Sequence, residues 1–218
     1  MFARDGYATI FVTIIFALIV SGLTKYFVGP HWSSYVLYGA MVLLVAFILY
    51  FFRDPDREIT KGDNYILSPA DGKVVQIKEV EEERYINGPA TQISIFLSPL
   101  NVHVNRIPIS GTLEYLEYEP GIFLAAYDHR ASELNERADF GVKHPSETKI
   151  FFRQITGLLA RRIVYHIEKG DQLEAGKRFG MMKFGSRMDI LVPPEVEINV
   201  SEGEKAVAGK TILATINA

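Results

Sequence analysis

Three short segments place polar, reactive side chains inside otherwise apolar, strand-prone sequence. Residues 68–73 (SPADGK) carry Asp71, residues 97–106 (LSPLNVHVNR) carry His103, and residues 183–187 (KFGSR) carry Ser186 directly after Gly185. An acid, an imidazole and a hydroxyl are the parts of an activated oxygen nucleophile. The ring takes the hydroxyl proton, and the carboxylate fixes the ring tautomer and steadies its cation. Each residue also has a plainer reading. Asp71-Gly72 is a common turn pair. His103 alternates with Val102 and Val104 and points to the opposite face, as a structural histidine would. Gly185-Ser186 between two strand candidates reads as a hairpin tip. The fold must gather three distant segments before any chemistry follows.

The elements that would do the gathering are mostly strands. Short β-branched runs at 72–80, 91–97, 111–118, 160–167, 188–193 and 210–216 are broken by turn pairs at Asn87-Gly88, Lys169-Gly170, Glu202-Gly203 and Ala208-Gly209. Residues 123–139 (FLAAYDHRASELNERAD) are the exception, polar with apolar residues at helical spacing. Residues 168–182 and 200–214 echo one another, each with Gly before an acidic residue, a second Gly five positions after that residue, and then Lys. Two similar turns feeding two strands are expected there, a pattern that resembles barrel-sandwich hybrid folds. The expected soluble part is therefore a β-dominated domain whose C-terminal portion is barrel-sandwich-hybrid-like.

Composition divides the 218-residue chain in two. Residues 1–52 hold only Arg4, Asp5 and Lys25 as formal charges. Within them, residues 7–24 and 33–52 are uncharged and long enough to cross about 30 Å of hydrocarbon. The linking KYFVGPHW supplies a Gly-Pro turn and interfacial aromatics, so a transmembrane helical hairpin over 1–52 and one soluble-type domain over 53–218 are expected. Arg53, Arg57 and Lys61 after the second span put that domain on the cytoplasmic side by the positive-inside rule. The absence of cysteine excludes disulfides, thiolate metal sites and a thiol nucleophile. A net charge of -3 argues against a nucleic-acid partner.

Taken in order, FFRDPDREI, ILSPADGKV, FLSPLNVHVNRIPISG, RQITGLLARRIV and FGMMKFGSRMDILVP resemble the phosphatidylserine decarboxylases, in the short form with an N-terminal membrane segment. The resemblance runs from about residue 51 to the C terminus. In that family the Gly-Ser dipeptide is where the proenzyme cuts itself, and the new N-terminal serine becomes a pyruvoyl group. The resemblance thus implies a large chain, 1–185, and a small chain, 186–218, of 33 residues. These would remain together as a heterodimer, with room for a higher oligomer. The implied cofactor is pyruvate, as a covalent pyruvoyl at Ser186, with no metal. The implied activity is conversion of phosphatidylserine to phosphatidylethanolamine through a Schiff base, at the cell membrane. Archaetidylserine is the alternative substrate.

The residues suit that chemistry. Ser186 Oγ would attack the Gly185 carbonyl in an N-to-O acyl shift, with His103, oriented by Asp71, as the base, and elimination would follow. A second role for His103, at the substrate carboxylate or the proton, is the weaker expectation. One departure is visible: longer bacterial members have a second histidine three residues after the one matching His103, where this chain has Arg106. His129, His144 and His166 lie outside the matching motifs. Arg106, Arg161 and Arg162 are candidates for a phosphate contact or for solvated strand ends. The rival reading is a membrane-tethered biotinyl or lipoyl carrier, because Met182-Lys183 resembles the biotin attachment motif with Lys183 as the carrier residue. Phe184 departs from that motif.

Overall fold

The computed structural model describes residues 1–124, 131–157, 162–183 and 186–217, with the side chains of residues 131 and 133 left aside. The chain divides into two compact units, Met1–Asp56 and Arg57–Ala218.

The first unit is a helical pair, α1 (Tyr7–Phe27) and α2 (Trp32–Phe51). Both helices are long and apolar enough to cross a membrane. The short link between them turns at Gly29, whose φ of 68° favours a residue without Cβ. The open ends of the pair are tied by backbone bonds, Ala3 N–H to Phe52 O at 2.8 Å and Asp54 N–H to Met1 O at 2.8 Å.

The second unit is strand-rich, as expected. Its strands are β1 (Tyr65–Leu67), β2 (Gly72–Glu82), β3 (Gly88–Leu97), β4 (Val104–Arg106), β5 (Gly111–Glu119), β6 (Arg137–Lys143), β7 (Lys149–Ile155), β8 (Ile163–Tyr165), β9 (Gln172–Leu173), β10 (Arg178–Met182), β11 (Ser186–Val192), β12 (Glu197–Ile198), β13 (Lys205–Ala206) and β14 (Ile212–Thr215). An eight-stranded antiparallel sheet runs β13-β2-β3-β11-β7-β6-β5-β9. Two three-stranded sheets, β1-β14-β12 and β4-β10-β8, complete the unit. One face of the large sheet presents Ile93, Ile95, Phe140, Phe152, Met188, Ile190 and Val192 to a core shared with Phe179 and Met182 of β10 and Leu213 of β14.

Of the helix expected over 123–139, the described residues show α3 (Ala131–Leu134), and residues 125–130 lie outside the described residues. From Arg137 the chain joins the ladder instead, because Phe140 and Val142 fill the core while Arg137 and Asp139 find partners on the opposite face. Strand alternation there outweighs the helical spacing.

The internal echo is a structural repeat. Gly170, Gly176, Gly203 and Gly209 all take positive φ, at 100°, 81°, 93° and 73°. The first turn pair brackets β9, which pairs with the start of β5. The second brackets β13, which pairs with the start of β2. The two ends of the large sheet are therefore closed in the same way.

Candidate active site

Ser186 opens β11, a strand buried along its whole length and flanked by β3 on one side and β7 on the other. It pairs with Leu97, the last residue of β3. It shares a face with Met188, Ile190 and Val192 and therefore points toward the core. Its side chain is fully buried, and Oγ has no hydrogen-bond partner. An orphaned buried hydroxyl costs about 1–3 kcal/mol, so natural folds keep few of them. Gly185, the other half of the expected cleavage pair, lies outside the described residues, as do Phe184, His129 and Arg161.

His103 reaches this end of the core from the loop that leaves β3. Its carbonyl accepts from Met182 N–H at 3.3 Å, four residues before Ser186. The ring is fully buried, with Nδ1 3.0 Å from the carbonyl oxygen of Asn101. A carbonyl can only accept, so Nδ1 carries a proton, and in the neutral tautomer the basic lone pair is on Nε2. Asn101 is itself fixed, its Oδ1 accepting from Ser98 N–H at 2.9 Å.

Asp71, expected to orient this ring, has other partners in the structure. The Asp71 carboxylate is held in a two-pronged pair by Arg57, at 2.5 and 2.6 Å, and accepts from Ala208 N–H at 2.9 Å. His103 is not among its partners. The repeat gives the physical reason: at the equivalent place in the other turn, Ser110 Oγ accepts from Ala175 N–H at 3.0 Å. Both residues stand just before the glycine that starts a long strand, and both cap the turn that closes the sheet end. The register still brings the segments near one another. Lys73 pairs with Phe96 and Phe96 with Arg187, so the segments bearing Asp71 and Ser186 run two strand spacings apart, about 10 Å.

Arg106 is buried rather than a solvated strand end, and its guanidinium donates to Gly176 O at 2.8 Å. His144 is structural, with its ring between Ser146 Oγ and Asp63 O. His166 and Arg162 are exposed. Lys183 follows β10, its N–H bonded to Arg162 O at 3.2 Å. Among the described residues no cluster of His, Cys, Asp or Glu is built to hold a metal ion.

The opposite face of the large sheet is polar. Arg187 Nε donates to Asp189 at 2.6 Å and its Nη2 to Ser94 at 2.6 Å, while Ser132 donates to the other Asp189 oxygen at 2.7 Å. Beside them, Arg84, Arg137 and Arg153 surround Asp139. Burial pushes the Asp139 carboxyl above its ordinary value against the pull of the three arginines. Ser186 thus starts a strand clamped by buried ion pairs on one face and by packed aliphatics on the other.

Comparison with known proteins was made against this geometry. The family model described as phosphatidylserine decarboxylase matches residues 44–214. The phosphatidylserine decarboxylase proenzyme of Salinibacter ruber is 53% identical over 195 residues, covering 86% of each chain. That of Chlorobium limicola is 45% identical, covering 98% of this chain and 99% of its own. A proenzyme from Symbiobacterium thermophilum is 42% identical over 98% of this chain. The chain belongs to the phosphatidylserine decarboxylase family. Membership leaves the carrier reading of Lys183 without support.

As a member of that family, the chain holds site features that sequence reasoning missed. Asn105 and Gln154 are fully buried and joined by Gln154 Nε2 to Asn105 Oδ1 at 2.8 Å, yet Asn105 Nδ2 and Gln154 Oε1 have no partner. The alternation in NVHVN puts Asn105 on the same face as His103 and was the available signal. Arg57 and Gln154 carried no comparable signal, because their partners are remote in sequence.

Proposed function

We propose that the chain is a self-processing, pyruvoyl-dependent phosphatidylserine decarboxylase, cut between Gly185 and Ser186. The observation that carries the reading is the buried Ser186 hydroxyl with no hydrogen-bond partner, since a serine kept in that state is one whose cost is met by a reaction. Its attack on the Gly185 carbonyl carbon passes the hydroxyl proton to His103 Nε2. The peptide C–N bond breaks, its nitrogen is protonated, and an ester remains. Loss of the residue-186 Cα proton expels the Gly185 carboxylate. The large chain then ends at 185, and the small chain begins with a dehydroamino acid. Tautomerisation and addition of water release ammonia and leave a ketone. Ser186 Oγ is not hydrogen-bonded to His103 before the cut, so closing that gap is part of the processing step.

Formed in this way, a pyruvoyl ketone supplies an electron sink bonded to the substrate nitrogen as CO2 departs. The chain's own residues do the rest. His103 Nε2 holds or delivers a proton, burial at the start of β11 excludes water, and Arg187 with Asp189 keeps residue 186 in place after the backbone is cut. Asp71 enters as a positioning residue that locks the turn at Ala208. The two apolar helices would anchor the enzyme where its lipid substrate resides, with the second unit on the cytoplasmic side, raising the effective concentration of headgroups.

Intact-mass spectrometry of the purified protein tests this. Two chains are expected, 1–185 and 186–218, the smaller blocked at its N terminus and lighter than the serine peptide by the serine-to-pyruvoyl change. A single unmodified chain from a preparation that decarboxylates phosphatidylserine would overturn the reading. Parallel assays on archaetidylserine vesicles identify the preferred lipid backbone.

A further inference from the structure

Buried polar atoms without partners mark places where a fold awaits something. Among the described residues, Ser186 Oγ, Asn105 Nδ2 and Gln154 Oε1 are three such atoms on the core side of the large sheet. Gln154 pairs with Met188, which lies two residues along β11 from Ser186 and on the same face. The Gln154 and Ser186 backbones are therefore about 8 Å apart. Asn105 approaches from β4, two residues after His103. The amide pair thus links β7, the strand beside the nucleophile's own, to the segment that carries the imidazole. The Gln154 Nε2 bond to Asn105 Oδ1 consumes one donor and one acceptor, and the contact of Nε2 with Val164 O at 3.5 Å fixes the amide's direction. What remains is one unused donor beside one unused acceptor.

Resting on the decarboxylase reading, we infer that Asn105 and Gln154 bind the serine headgroup, Asn105 Nδ2 donating to its carboxylate and Gln154 Oε1 accepting from its N–H. An α-amino acid presents this combination on adjacent atoms. The choice of amides also suits the reaction. A guanidinium on the carboxylate would favour the charge that loss of CO2 must destroy, whereas a neutral amide orients it with less ground-state stabilisation. The nearby Arg106 is committed to Gly176 O. Access sets no separate requirement, because Ser186 is as buried as the pair and whatever admits substrate to position 186 admits it to the adjacent rung.

The test uses the full chain in detergent with short-chain lipids. Asn105→Asp is compared with wild type for self-cleavage by mass, for KM and kcat on phosphatidylserine, and for inhibition by phosphatidylethanolamine, which lacks the carboxylate. The expected result is complete cleavage, with KM for phosphatidylserine raised about tenfold or more, the loss of one hydrogen bond to a charged group. Inhibition by phosphatidylethanolamine should be nearly unchanged. Equal weakening of both lipids, or no change in either, overturns the inference while leaving the decarboxylase reading intact. An uncut but active wild type overturns that reading instead. Should Asn105→Asp not cleave, Asn105→Ser carries the same comparison. If both variants fold and neither cleaves, the pair belongs to processing and the headgroup role is refuted.

Discussion

Replacing the reactive serine should make the protein more stable. Ser186 Oγ is fully buried and has no partner. Ser186→Ala deletes that atom without touching the aliphatic neighbours on its face of β11, so the folded state is relieved of the hydroxyl's desolvation cost, about 1–3 kcal/mol. On the proposed mechanism wild type cuts itself and is not the right reference. The comparison is His103→Ala against His103→Ala/Ser186→Ala, both uncut and differing only in the hydroxyl. For a chain of this size, 1–3 kcal/mol corresponds to a midpoint higher by roughly 2–12 °C in the double variant. Thermal unfolding followed by circular dichroism in detergent reads it, with intact mass confirming that both chains are whole. A double variant that melts at the same temperature or lower would refute the premise that Ser186 is held unsatisfied. The expected pattern, stability gained when the reactive hydroxyl is removed, is the trade-off of a site kept unsatisfied for function.

Arg57→Met should destabilise the second unit by about 3 kcal/mol, because it leaves the largely covered Asp71 carboxylate with only the Ala208 N–H as partner; melting of the variant measures this. Gly72→Ala should disrupt the β2–β3 ladder, since a Cβ there would stand 2.2 Å from Phe96 O; a lowered melting point and loss of self-cleavage together are the expected readout. Carboxyl titration by NMR should place Asp139 above and Glu119 below the ordinary carboxylate range, through burial and the Arg84 bond respectively. The linkage signs are opposite: Asp139's contribution to stability is present in acid and lost as pH rises through its folded value. Glu119's is present above the usual range and lost as pH falls through its own. Tyr115, pushed up to about 12 by burial and then by its bond to Glu117, should stay protonated in an absorbance titration until strongly alkaline pH.

Local pattern made much of this molecule legible. The two uncharged runs became α1 and α2, and the β-branched runs became β2, β3, β5, β11 and β14, because each element buries a face whose period is written in consecutive residues. The echo of Gly-acid and Gly-Lys pairs became two matching turns, since only a residue without Cβ sits easily at those φ angles. Partnership across the fold was not legible. Asp71 beside Gly72 looks the same whether its carboxylate meets a histidine or an arginine, and Arg57 is fourteen residues away in a segment without a strand signal. The strand β7 was missed although KIFFRQI is apolar, because Arg153 and Gln154 interrupt it; Arg153 is accommodated by Asp139 on neighbouring β6 and Gln154 by Asn105 on β4 of a smaller sheet.

The placement of β11 has a consequence for the life of the enzyme. Residues 186–218 supply a middle strand of the large sheet, its β13 end and two strands of a smaller sheet. A peptide so woven in cannot leave without dissolving the fold, and no free copy can slot in to replace it. A catalytic group carried on residue 186 would therefore be neither reloaded nor exchanged. Each molecule would be armed once, and chemical damage at that group would retire the whole protein, leaving new synthesis as the only route to restored activity.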